Sequence, residues 1–221
     1  TTRRRHYAAG RRNDQMTTNQ DRRGQQDEPK RAEQYFAAHP SSPARRRTMH
    51  VRLRGHEADV EVSNGVFSGN RVALGTSVLL RHAPDPSTQG ELLAMGFASP
   101  QARVWALDTN ERALELTQSN ARTNGLGGVK AVTADQIPDD LRFDTIWSNP
   151  PIRVGKQVLH DLLLTWLPRL RTGGSAYLVV QRNLGADSLL PWLAEHLGDA
   201  FAIGKYASSK GYRVIEVRLT A

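Results

Sequence analysis

From residue 104 onward the chain alternates strand-like apolar runs with helix-like stretches, and that order leaves few folds open. Residues 104–108 read as a strand, and Thr109 or Asn110 is a cap for a helix carrying Ala113, Leu114, Leu116 and Ala121 before a stop at Gly125. A strand at 129–133 running to Asp135, and another at 143–147 closing on Asn149, follow. Residues 156–170 read as a helix stopped by Gly173-Gly174, then a strand at 175–181, a helix at 186–197, and a pair of strands at 201–206 and 212–219. Strand, helix, strand in succession predicts an α/β fold with a mostly parallel sheet wrapped by helices and finished by an antiparallel edge pair. Ligands in such sheets sit at the strands' carboxyl ends.

Upstream the pattern differs. Residues 50–55 and 58–62 alternate at period two around Gly55-His56, which predicts a β-hairpin with one buried face; residues 63–65 are a turn, and 74–80 open a short helix capped near Thr76. The formal net charge of +8 is concentrated still further upstream, since residues 1–47 hold twelve Lys and Arg against five acids. Residues 1–30 contain almost nothing apolar and are expected to be disordered alone. The expected organisation is a basic tail at 1–33, a lead-in module with the hairpin at 34–82, and the α/β domain at 83–221. The Arg runs, Arg45-Arg46-Arg47 among them, suit phosphate contacts as well as a solvated arm.

Three strand ends carry polar residues. Ser148-Asn149-Pro150-Pro151-Ile152-Arg153 closes an apolar strand; two prolines fix φ and remove two N–H donors, so the corner is rigid and presents acceptors. The Asn149 amide oxygen and the Pro150 carbonyl can together accept both hydrogens of a planar exocyclic amine. Asp108 ends its strand where a carboxylate can take both ribose hydroxyls, and equally where a helix is capped. Asp135 is placed to accept from an adenine amino group or to cap a turn. There is no Cys, and the seven His show no ligand spacing, so no metal site is expected. No stretch reaches the ~18 apolar residues of a membrane span, and a cytoplasmic chain is expected.

On these residues the chain from 34 to 221 resembles the small-domain class I methyltransferases that use S-adenosylmethionine, near the bacterial rRNA guanine-N2 enzymes. The matching segments are Tyr35-Phe36, Pro40-Ser41-Ser42, Gly65-Val66-Phe67-Ser68, Leu74-Gly75-Thr76, Leu79-Leu80, residues 107–114, residues 148–155 and Lys210-Gly211-Tyr212-Arg213-Val214. The resemblance implies a Rossmann-like, seven-stranded, mostly parallel sheet. It also implies that Asp108 binds the cofactor ribose and Asp135 its adenine, that Asn149-Pro150-Pro151 hold the target amine, and that Phe67 and Thr76 line the cofactor side. Arg153, Lys156 and Arg45 to Arg47 would contact RNA phosphate in ribosomal RNA or a ribosomal subunit.

One departure stands out. The family's first sheet strand ends in a glycine-rich loop, whereas between Leu80 and Asp108 the only glycines are Gly90 and Gly96. Residues 91–93 read as a strand start and Ala94 onward as a helix end, as though about ten residues were missing between Leu93 and Ala94. Methyl transfer to an exocyclic amine of RNA is what the resemblance implies, and a catalytically silent RNA- or ribosome-binding scaffold is the alternative if the short stretch is literal. Ile152 stands where adenine-N6 and glutamine-N5 methyltransferases carry an aromatic ring, which points to guanine N2 over those amines.

Overall fold

The computed structural model describes residues 43–66, 72–86, 90–95 and 102–221. Phe67, residues 1–42 and the start of the lead-in module lie outside them. The hairpin is β1 (Arg46–Leu53) with β2 (His56–Ser63), followed by helix α1 (Leu74–His82). The domain continues with β3 (Glu91–Met95), β4 (Arg103–Leu107), α2 (Glu111–Thr123), β5 (Val129–Val132), β6 (Phe143–Ser148), α3 (Lys156–Trp166), β7 (Leu170–Gln181), α4 (Ala186–Leu197), β8 (Phe201–Ser209) and β9 (Tyr212–Leu219). The sheet order is β5-β4-β3-β6-β7-β9-β8, with the first five strands parallel and β9 and β8 antiparallel. The expected seven-stranded, Rossmann-like sheet with its antiparallel edge is therefore present.

Alternation along the strands divides the core. Ala176, Leu178 and Val180 of β7 face α3 and α4, while Tyr177 and Val179 face the side covered by α1 and α2. Helix α3 buries Leu159, Leu163 and Trp166, spaced as one helical face, each stabilising the fold by about 1.5–3 kcal/mol. Asn110 begins α2 by accepting from the Ala113 N–H, as expected of a cap.

Several boundaries differ from the sequence reading, each for a local reason. Helix α1 starts after Ala73, whose side chain carries no acceptor, so it has no side-chain cap; Thr76 lies inside the helix and its hydroxyl accepts from Asn149. Helix α3 ends at Trp166, where Pro168 in the 3-10 turn 167–169 lacks the N–H to continue it. Gly173-Gly174 is then not a helix stop but part of β7. A Cβ on Gly174 would stand 2.9 Å from the Asp144 carbonyl oxygen and 3.0 Å from that of Phe143, so the β6 irregularity there demands a bare backbone. Ala94 and Met95 extend β3, pairing with Ala106 of β4 and Ser148 of β6, rather than ending a helix.

Strand β3 and its parallel neighbour β4 are joined by only residues 96–102. Parallel neighbours ordinarily need a crossover of a dozen or more residues, usually helical. The hairpin closes part of that side of the sheet. Asn120 of α2 bonds both backbone groups of Glu61, at 2.6 and 2.9 Å, and Asn124 donates to the Asp59 carbonyl, so the edge of β2 is satisfied by a helix. At the hairpin tip Arg54 lies over the Trp147 ring, donates to the Leu80 and Ala83 carbonyls at the end of α1, and pairs with Asp85. Trp147 itself is a core residue, at 1% exposure.

Candidate active site

The site is the carboxyl edge of β4, β5 and β6. Asp108 follows β4 directly, its N–H donating to the Val132 carbonyl of β5 at 3.2 Å. Its carboxylate accepts the N–H of Asn110 at 2.9 Å. Burial is the largest influence on this acid and raises its pKa, against the lowering effect of the Asn110 and Thr109 N–H groups; no cation pairs with it among the described residues. A half-buried carboxylate held by a turn, with no cation among the described residues, can receive hydroxyl donors. Asn110 also donates to the Gly65 carbonyl at 3.0 Å, and Arg112 to that of Asn64, which fixes the 63–65 turn beside Asp108.

Asp135 lies on an exposed 3-10 turn, 134–136, after β5. It does not cap that turn, whose start is held by Thr133 N–H donating to Gln136 Oε1 at 2.9 Å.

Asn149 is the most constrained of the three. Its Nδ2 donates to Thr76 Oγ1 at 3.3 Å, which leaves Oδ1 as the acceptor available to a ligand. Pro151, at φ −76° and ψ 77°, centres an inverse γ-turn in which the Ile152 N–H donates to the Pro150 carbonyl at 2.9 Å. One Pro150 lone pair is thus spent and one remains. Ile152 itself packs against the core on the α3 and α4 side. Thr76, expected to line the cofactor side, is joined to Asn149 by this bond.

Two residues escaped the sequence reading of the site. Gly75 is closely packed: a Cβ there would lie 3.0 Å from the Tyr212 ring and 3.4 Å from both amide atoms of Asn149, so one of them would have to shift. Tyr212, the first residue of β9, therefore borders the Asn149 corner. The Arg182 N–H at the end of β7 donates to the Gly211 carbonyl at 2.9 Å and holds the β8–β9 turn there. Only their place in the resemblance signalled either residue.

Of the expected phosphate contacts, Arg153 lies on the 3-10 turn 152–154 and Lys156 is the first residue of α3, both exposed. Arg46 is committed to Glu115 at 2.6 Å and Glu61 at 3.3 Å, so it fastens the hairpin to α2; Arg45 and Arg47 are exposed beside it. The described residues contain no metal-ligating cluster, and no helix among them is long and apolar enough to cross a membrane.

Comparison with known proteins agrees with this geometry. The "uncharacterized protein YbxB" of Bacillus subtilis is 30% identical over 201 residues, covering 85% of this chain and 98% of that protein. Ribosomal RNA small subunit methyltransferase C of Escherichia coli O1:K1 is 31% identical over 179 residues, 72% of this chain and 50% of that one. The Thermus thermophilus 16S rRNA N2 G1207 methyltransferase, solved with AdoMet and guanosine, superposes with a TM-score of 0.68 at 25% identity, covering 81% of this chain and 52% of that one. The chain thus spans about half the length of these rRNA methyltransferases. Residues 57–216 match the family described as "Methyltransferase small domain", and with the Asp108 and Asn149 strand ends in place the chain belongs to that family.

Proposed function

We propose that this chain methylates an exocyclic amine of ribosomal RNA, the N2 of a guanine, using S-adenosylmethionine. The observation that carries the reading is the Asn149 corner: one Nδ2 N–H donates to Thr76 and fixes the amide, so Oδ1 and the remaining Pro150 lone pair are two acceptors for one planar amine. The relative solved with AdoMet and guanosine supports that pairing of ligands.

The residues present fit the nucleoside half of the cofactor. Asp108 would take the ribose hydroxyls, and exposed Asp135 would reach the adenine edge. The methionine half would need a glycine-rich loop; residues 96–102 hold one glycine, and a segment missing at the Leu93–Ala94 seam would carry that loop, at a point that β3 spans without a break. S-adenosylmethionine, when bound, supplies a methyl already activated for transfer, so no nucleophilic side chain is required. The protein's part is to hold the amine, direct its lone pair and stabilise its developing positive charge with Asn149 Oδ1 and the Pro150 oxygen. Arg153 and Lys156 would hold RNA phosphate beside that corner.

The short β3–β4 link favours a second reading, in which the same scaffold binds RNA without transferring methyl. Labelled S-adenosylmethionine with small-subunit rRNA separates the two. Label recovered as N2-methylguanosine supports transfer; RNA binding with no incorporated label supports the silent scaffold. Tandem mass spectrometry of the tryptic peptide from His82 to Arg103 tests the segment itself, since a longer, glycine-rich peptide would restore the loop.

A further inference from the structure

The corner that accepts the amine needs something for the flat base to lie against, and the residue after the prolines does not supply it. Ile152 is aliphatic and packs on the α3 and α4 side of the sheet. Across the corner stands Tyr212, packed against the opposite core cluster. A single methyl group placed on Gly75 would touch both its ring, at 3.0 Å, and the Asn149 amide, at 3.4 Å. Ring edge and amide thus both close on the backbone of Gly75, which brings Tyr212 beside the Asn149 corner.

The same turn carries a cation outward. Lys210 is exposed, in the left-handed region at φ 49°, and none of the ion pairs among the described residues uses it. Its place is held by the Arg182 N–H on the Gly211 carbonyl and by pairing of Tyr212 with Gln181 of β7 and Ser209 of β8. The turn is therefore built into the sheet and does not hang from it.

We infer that the β8–β9 turn is the edge that grips single-stranded RNA: Tyr212 is the aromatic wall for the base whose amine meets Asn149, and Lys210 contacts the adjoining phosphate. This rests on the proposed role of Asn149 as the amine's acceptor. Stacking tolerates any base face, whereas Asn149 and Pro150 select the amine, so the two features divide affinity from selectivity.

The test is binding of a fluorescein-labelled, guanine-containing single-stranded RNA to the full chain, by anisotropy over a range of salt. Tyr212→Phe is expected to bind within twofold of the wild type, and Tyr212→Leu to lose roughly five- to hundredfold. Lys210→Asn tolerates the left-handed backbone and removes the charge; it is expected to lower the salt slope by about 0.7, the value for one phosphate on a single strand. Thermal unfolding of each variant verifies the fold. Wild-type affinity in Tyr212→Leu, an equal loss in Phe and Leu, an unchanged slope in Lys210→Asn, or no RNA binding by the wild type would each overturn the inference. RNA bound with the expected signature but never methylated would sink the methyltransferase reading and leave this one standing.

Discussion

The two edges of the central sheet use polar residues in opposite ways. At the amino edge every group is spent on another. Buried Glu91 accepts from the Trp105 indole at 2.8 Å and pairs with Arg103 at 2.7 Å, and Asp144 accepts from the Glu91 N–H at 2.7 Å and from Arg171 at 2.8 Å. At the carboxyl edge acceptors are held but not consumed: among the described residues Asp108 has no cation, and Asn149 keeps its Oδ1. The amino edge is a staple, and the carboxyl edge is the candidate site. Unspent hydrogen-bonding capacity, fixed in place at a cost to stability, separates the two.

Substitution at the carboxyl edge is expected to change chemistry far more than stability. Asn149→Ala removes a fixed acceptor of the developing charge; a loss of about 10²–10³ in kcat, read by methyl incorporation into rRNA, is expected. An unchanged rate would show that the corner is an ordinary turn. Asp108→Asn should weaken cofactor binding about tenfold to a hundredfold in titration calorimetry. It should not destabilise the fold. Burial raises the Asp108 pKa, so the folded protein holds its proton above the unfolded value of 3.8, and stability falls as pH rises through that window. Asp108→Asn should abolish that part of the pH dependence, while in the parent protein cofactor affinity should climb over the same window as the carboxylate forms.

At the amino edge the reverse is expected. Glu91→Ala strands the Trp105 N–H in the core, costing about 1–3 kcal/mol in denaturant unfolding with substrate affinity untouched. A large activity loss at unchanged stability would erase the distinction between the edges. The smallest effect lies mid-sheet. The Tyr177 hydroxyl donates to Glu216 at 3.0 Å, and its pKa is pushed up to about 12, first by burial and then by that bond and charge. The folded state keeps this proton between 10 and 12, so its stabilising contribution is lost as pH rises through that range, and Tyr177→Phe should remove that alkaline slope.

The strand ends were legible in the sequence because each follows an apolar run: Asp108 after β4 and Asn149 after β6 stand where the pattern put them. Helix α4 matches its expected span for a related reason, a clean apolar period between Gly185 and Gly198. The reading of Gly173-Gly174 failed because a close backbone approach and a helix stop both ask for glycine, and only the carbonyls of Phe143 and Asp144 tell them apart. Thr76 was misplaced as a helix cap because the helix begins two residues earlier, after Ala73, a start that no capping side chain marks in the sequence.

By itself, the sequence determined the class of fold, the order of strands and helices, and which residues end the strands, since these follow from local periodicity and the chemistry of proline and glycine. Only the tertiary structure decided that Tyr212 meets Asn149 across Gly75, residues far apart in the chain. Only it decided that Arg46 fastens the hairpin to α2, and that Ala94 and Met95 join β3. Those outcomes depend on which surfaces come within a few ångströms once the sheet closes, and no local pattern encodes that distance.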